Sequence, residues 1–178
     1  HQAGHSDEMI PIEIDLDLTA ATATVQPATL NVTAVNGAIA DLAGNTNAQS
    51  TGGDTEVDVV GPTPTISVPA TQDDPTNADS ITFDVAFDEP IVPATFVGQP
   101  NDITITTNPS VNTSGVTITI TNTGDDQNFT VELSDLNAQL GNIETDVSIN
   151  IVAGRMVDTL GNENVASNTE TVTYDDLG

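Results

Sequence analysis

The sequence predicts an all-β protein, and three observations carry that prediction. Apolar and polar residues alternate in short runs, the signature of half-buried strands. Thr, Val, Asn and Asp dominate, with 13 Gly and 10 Pro among the runs, a mix that suits pleated strands and tight turns. Part of the chain also recurs downstream at a fixed offset, the mark of a repeat array. No segment carries the 3.6-residue apolar period of a helix.

Taken in order, Ile10 to Leu18 reads I-P-I-E-I-D-L-D-L, apolar at every even position. Strands are expected next at Thr29–Val35 and Thr55–Val60. Gly61-Pro62-Thr63-Pro64 reads as a linker. Beyond it, strands are expected near Thr65–Val68, Ser80–Phe87, Asp102–Thr107, Val116–Thr121, Phe129–Ser134, Val147–Val152 and Glu170–Tyr174. Leu136–Leu140 could form one helical turn. Seven short strands at about ten-residue spacing, separated by turn residues, suggest a sandwich of two sheets.

The repeat sets the domain organisation. Ile12 to Asn45 aligns without gaps on Phe129 to Asn162, an offset of 117. Ile12-Glu13-Ile14-Asp15-Leu16 falls on Phe129-Thr130-Val131-Glu132-Leu133, and Asp41-Leu42-Ala43-Gly44-Asn45 on Asp158-Thr159-Leu160-Gly161-Asn162. Residues 62–178 then form one complete unit, and residues 1–61 hold only the closing strands of another. Half a sandwich has open edges and an uncovered apolar face. Ile12, Ile14, Leu16, Leu30 and Val32 are expected to face the absent opening sheet. The missing strands lie upstream in one long polypeptide, or an identical chain donates them by strand addition into a head-to-tail filament. The chain opens on His1 rather than Met, which fits removal of a signal peptide or excision from a longer protein.

Charge narrows the partners. Against 27 Asp plus Glu there is one basic residue, Arg155, for a net charge of −26. With no basic patch to meet phosphate, nucleic acid and anionic membrane surfaces are excluded. No stretch approaches the roughly 20 apolar residues of a membrane span. Such a chain repels itself unless salt screens it or cations bind it, so an extracellular or cell-surface setting, salty (halophilic or marine) or rich in divalent ions, is expected. Cysteine is absent, and no disulfide can staple the fold.

Several motifs carry a family resemblance. Asp74-Pro75-Thr76-Asn77, then Ile81-Thr82-Phe83 and Phe87-Asp88-Glu89-Pro90-Ile91, resemble the opening of a bacterial immunoglobulin-like repeat. Ala153-Gly154 to Val157-Asp158-Thr159-Leu160-Gly161-Asn162, with Thr171-Val172-Thr173-Tyr174-Asp175, is similar to that family's closing segment. Asp88 stands where the family usually has Ser. The resemblance covers nearly all of Pro62 to Asp176, and the closing half again in Ile12 to Val60. It implies a Greek-key, immunoglobulin-like β-sandwich and tandem arrays in large secreted or surface-anchored proteins, often adhesins.

The repeated Asp-x-x-Gly-Asn is the leading site candidate. Asp41 with Asn45, and Asp158 with Asn162, offer the hard oxygens calcium prefers; the same residues also make ordinary turns, with Gly supplying positive φ. The spacing is not that of the EF-hand loop. Asp73, Asp74, Asp88 and Glu89 lie near strand ends. If they converge with Asp158 at one pole, calcium there would stiffen the junction between units; the alternative is dispersed, solvated acids.

Other chemistry finds less support. His1 and His5 lack the second sheet-borne histidine and aromatic face of a copper monooxygenase brace, and read as a terminal segment. No acid is paired with a Cys, Lys or His nucleophile or base, so no catalytic set is expected. Glycan stacking has only Tyr174 to draw on, and aromatics are 3% of the chain. Asn31, Asn112 and Asn128 begin glycosylation sequons, which chance supplies in so Asn- and Thr-rich a chain. The expected function is therefore a non-catalytic structural or adhesive segment, with an accessory or glycan-binding domain of a secreted enzyme as the remaining alternative.

Overall fold

A computed structural model describes residues 28–40, 42–53, 55–98 and 101–178. The expected strand at Ile10–Leu18, with Ile12, Ile14 and Leu16, lies outside the described residues. Four short strands come first: β1 (Ala28–Leu30), β2 (Thr33–Ala34), β3 (Ser50–Thr51) and β4 (Thr55–Val57). β1 pairs antiparallel with β4, and β2 with β3.

After the linker come β5 (Pro64–Ser67), β6 (Ser80–Phe87), β7 (Ile103–Asn108), β8 (Thr117–Asn122), β9 (Asn128–Ser134), the single-turn helix α1 (Leu136–Leu140), β10 (Glu144–Ile151) and β11 (Glu170–Asp175). They build two antiparallel sheets, ordered β5-β6-β9-β8 and β11-β10-β7. Alternation dictates which faces meet. Ile81, Phe83, Val85 and Phe87 of β6 and Phe129, Val131 and Leu133 of β9 point inward, toward Val147, Ile149 and Ile151 of β10 and Val172 and Tyr174 of β11. One apolar cluster thus fills a β-sandwich, the layering that buries one face of each sheet. Its edge strand β5 is tied to the loop before β11 by Asn168, whose Oδ1 accepts the Ile66 N–H (2.8 Å) and whose Nδ2 donates to the Ile66 carbonyl (2.9 Å).

The strands beyond the linker fall close to their expected positions, and two departures along the chain have physical causes. The expected strand Thr55–Val60 stops at Val57, because the Asp58 carboxylate accepts the Val60 N–H (3.0 Å) and turns the chain. β10 starts at Glu144 rather than Val147. Thr145 is buried there because its hydroxyl donates to the Pro109 carbonyl (3.0 Å), so a polar residue sits where periodicity asks for an apolar one. Thr29–Val35 is divided into β1 and β2, and β3 is additional to the expected set.

The repeat is repeated in geometry. Asn47 donates its backbone N–H to the Ile39 carbonyl (2.9 Å) and accepts the Ile39 N–H on Oδ1 (2.8 Å). Its Nδ2 donates to the carbonyls of Val35 and Ala48 (both 2.9 Å). At the same offset, Asn164 bonds Met156 in both ways (2.9 and 2.8 Å), and its Nδ2 donates to Val152 (3.0 Å) and Val165 (2.7 Å). The N–H groups of Gly37 and Gly154 reach the carbonyls of Asn47 and Asn164, at 3.0 and 2.9 Å. Ladder register follows suit: Ala28 faces Val57 as Thr145 faces Tyr174, and Leu30 faces Thr55 as Val147 faces Val172. Residues 28–57 thus copy the β10–β11 pair and the loop between its strands.

Candidate functional site

The linker meets the sandwich at one pole, and that pole concentrates carboxylates. β6 ends at Phe87, which packs edge-on against Phe96 and Phe129 (ring centroids 5.8 Å apart in each case) and anchors the turn that follows. Asp88 Oδ1 accepts the Thr63 N–H (2.7 Å), tying linker to turn. Two residues past Glu89, Ile91 bridges antiparallel to Asp158, and the Val92 N–H donates to the Val157 carbonyl (2.8 Å). Glu89 is thereby brought to Asp158 from a distant part of the sequence.

Asp158 is buried, and its loop is built around it. Oδ1 accepts the N–H groups of Leu160 (2.8 Å) and Asn162 (2.9 Å), while Oδ2 accepts Asn162 Nδ2 (2.7 Å). Burial pushes its carboxyl up. The bonds from the Asn162 side chain and from the N–H groups of Asn162, Leu160 and Gly161 outweigh that, and hold it below the usual carboxylate range. Gly161 has φ +93°, the left-handed conformation that closes the turn. The turn reading of Asp-x-x-Gly-Asn describes this segment, and Asn162 acts in it as a donor.

Asp58 completes the cluster from the other side of the linker. Ligand oxygens of Asp58, Glu89 and Asp158 all lie within 4.8 Å of one another. Asn162 Nδ2 also donates to the Asp58 backbone carbonyl (3.1 Å), joining the two sides directly. Burial, followed by the negative charges of Asp58, Asp158 and Asp88, pushes the Glu89 carboxyl up from 4.5 to about 7. Three such groups can share a proton or be neutralised by a cation. Oxygens bound to one calcium at 2.3–2.6 Å lie no more than about 5 Å apart, and this spacing satisfies that limit.

The other expected residues distribute as follows. Asp41 lies outside the described residues, and its loop partner Asn45 is exposed. Asp73 and Asp74 do not join Asp158. They sit at the opposite pole with Pro75, Thr76, Asn77 and Asp175 around an open pocket of about 320 Å³, and Asp74 Oδ1 accepts the Thr173 N–H (2.9 Å). The eight residues of β6 separate the two poles, about 25 Å at strand rise. Proximity to strand ends was the sequence signal for both acidic pairs, but Asp73–Asp74 precedes β6 and Asp88–Glu89 follows it. Asp58, missing from the expected set, carried a readable signal: it is the last acid before Gly61-Pro62.

Among known proteins, no family model matches the chain, and no curated protein matches it.

Proposed function

We propose that the chain is a non-catalytic structural segment of an extracellular fibre or surface adhesin built from tandem immunoglobulin-like repeats. The observation that carries this reading is the recurrence of the Asn47 hydrogen bonds at Asn164, with matching ladder register. A bond pattern reproduced at a fixed offset is what successive copies of one unit produce. Sheet orders β5-β6-β9-β8 and β11-β10-β7 match the ABED and CFG orders of an immunoglobulin constant-type sandwich, which supports the finer fold assignment. The acidic junction supports a connection held on both sides of the linker. In this reading calcium binds Asp58, Glu89 and Asp158 and fixes consecutive units end to end, as hard carboxylate oxygens from both sides of a linker can do.

The test is the parent polypeptide and its location. Many copies of the 117-residue unit, in a protein labelled by antibody on intact cells, are the expected result. A single copy joined to a catalytic domain would overturn the reading in favour of an accessory role.

A second reading has its own observation. Val32 and Ile39 are 41% and 48% exposed, whereas Ile149 and Met156, their equivalents in the complete unit, are 1% and 0% exposed. An apolar face of this kind accepts strands from an identical chain, giving a filament of donated strands. Native mass spectrometry separates the two: filaments dissociating to single chains of this length favour donation, and one very large polypeptide rejects it.

A further inference from the structure

We infer that the free edge of β7 is a lateral docking site for a second copy of this chain, the two β7 strands pairing antiparallel about a two-fold axis at Ile105. The contact is side by side, and it is independent of how many units the parent polypeptide holds.

The sandwich has four edge strands, β5, β8, β7 and β11, and an edge left bare is a template for another chain. Three of them are covered from within. On β5, Asn168 takes both outward backbone groups of Ile66. On β11, the Thr76 N–H donates to the Thr173 carbonyl (2.9 Å), the Thr76 carbonyl accepts the Asp175 N–H (2.8 Å), and Asp74 takes the Thr173 N–H. On β8, the backbone of Gly98 lies against Ile118: a Cβ there would stand 3.5 Å from the Ile118 carbonyl oxygen.

β7 differs. The Val152 N–H donates to the Asp102 carbonyl (3.0 Å), which extends the β10–β7 register by one pair. Hydrogen-bonded pairs alternate along an antiparallel ladder, so Thr104, Thr106 and Asn108 turn their backbone groups to β10. Ile103, Ile105 and Thr107 turn theirs outward, and among the described residues these groups meet no hydrogen-bond partner. Natural edges are blunted by charge, proline or a bulge. β7 reads I-T-I-T-T-N, runs in unbroken register with β10, and meets its first proline only past its end, at Pro109.

Charge and register select the occupant. From Ile103 to Gly124 no residue is charged, in a chain of net charge −26. Two copies repel one another over most of their surface, and this flank lets them meet without opposing carboxylates. The strand is also complementary to itself. About a two-fold at Ile105, that residue pairs with its own equivalent and Ile103 with Thr107, so every outward group finds a partner. On the exposed face Thr104 falls opposite Thr106 in a non-hydrogen-bonded pair, where side chains approach closely and Thr–Thr contacts stabilise. Asp102, just before the strand, falls opposite Asn108. The product is one continuous sheet across two molecules, β11-β10-β7 joined to its copy.

Sedimentation velocity of the whole chain over a concentration series, in salt high enough to screen its charge, tests this. A reversible dimer is expected, with exchange at the Ile103, Ile105 and Thr107 amides slowing as the dimer fills. Thr104→Asp with Thr106→Asp sets carboxylates opposite one another and should weaken the dimer by about tenfold or more. Thr104→Lys with Thr106→Asp opposes unlike charges in the same register and should restore it. Thr119→Asp with Thr121→Asp, at exposed positions of β8, should leave it unchanged. A chain that stays monomeric throughout the series would overturn the docking site. So would β7 amides already protected in the dilute monomer, because another part of the same chain would then cover the edge. Association that Thr104→Asp with Thr106→Asp leaves intact, or that the β8 pair weakens equally, would place the contact elsewhere. A Lys–Asp variant no tighter than the doubly acidic one would overturn the two-fold register.

Discussion

Ile39 and Met156 make the same pair of backbone bonds to an asparagine side chain and main chain, yet Met156 is fully buried and Ile39 is 48% exposed. Local geometry is the same in both halves of the repeat, and the surroundings are not. The first unit keeps its loop because Asn47 supplies the bonds internally. It does not keep its burial, which in the complete unit comes from the sheet that packs across β10.

That contrast predicts unequal mutational costs. Met156→Ala should destabilise by about 2–5 kcal/mol, the range for truncating a large buried apolar side chain. Ile39→Ala should stay within about 0.5 kcal/mol, as at an ordinary surface position. Urea unfolding of both variants checks this. A large effect at Ile39 would mean that something covers it in solution, and would favour strand donation.

Asn164 predicts a second, sharper loss. Its Oδ1 accepts the N–H groups of Arg155 and Met156 (both 2.8 Å), and its Nδ2 serves two carbonyls. Asn164→Ala leaves the buried Met156 N–H without its partner, at about 1–3 kcal/mol before relaxation or water entry, and the part-buried Arg155 N–H and Val152 and Val165 carbonyls at less. Asn164→Asp keeps the acceptor and loses the donor. Hydrogen exchange at the Met156 amide should therefore accelerate strongly in the alanine variant and less in the aspartate one.

Glu89 gives the chain a definite pH response. Its carboxyl is raised from 4.5 to about 7 by burial and by Asp58, Asp158 and Asp88. Below pH 4.5 both folded and unfolded chains hold the proton, and no penalty exists. Between 4.5 and about 7 the folded chain binds more protons than the unfolded one, so stability falls as pH rises. Above that window the penalty is complete. Asp158 runs the other way: its lowered carboxyl stabilises above its ordinary value of 3.8 and loses that contribution in stronger acid. With a chelator present, denaturation midpoints should decline from pH 4.5 to 7 in the parent chain, and this component should vanish in Glu89→Gln.

Calcium should reverse that decline. Three carboxylates that repel one another when ionised are the groups a divalent cation neutralises, and saturation at 100 times the dissociation constant contributes about 2.7 kcal/mol. Melting in millimolar calcium should exceed melting in sodium chloride of equal ionic strength. Asp58→Asn should remove the excess. Asp73→Asn with Asp74→Asn, at the far pole, should leave it. Equal melting in the two salts would reject a specific site and leave only screening of the −26 charge.

The strands of the complete unit were legible because each inward face is a plain period-two series, as in Ile81, Phe83, Val85 and Phe87. The site was half legible. Asp158 and Asn162 were marked by their repeat and Glu89 by its place after a strand. Which acids share a pole depends instead on whether a loop precedes or follows its strand, and on long-range bonds such as Ile91 to Asp158. Alternation records which face a residue occupies and not which end of the sheet it reaches. For Asp58 the sequence showed only its place before Gly61-Pro62: its role depends on the linker folding back, and that rests on the close approach of Gly61 to Glu163.

That close approach can be tested alone. In Gly61→Ala the new methyl would collide with the Glu163 carbonyl oxygen, with its carbonyl carbon at 2.5 Å. Backbone atoms cannot swing aside as a side-chain tip can, so the linker must lift off. Lifting it strains the Val165 N–H bond to the Pro62 carbonyl (3.1 Å) and the Asn162 bond to the Asp58 carbonyl (3.1 Å). It also withdraws the Asp58 carboxylate from Glu89. The sandwich core beyond the linker is untouched, so the variant should keep its main unfolding transition, while the amides of Val165 and of residues 55–60 exchange faster. Release of the Asp58 charge should at the same time bring the Glu89 midpoint down from about 7 toward 4.5. Gly53→Ala, where a Cβ meets nothing within 4 Å, is the matched control and should change neither. If Gly61→Ala leaves both the exchange pattern and the Glu89 midpoint as they are, the junction is not held by this contact, and Asp58 reaches the cluster by some other route.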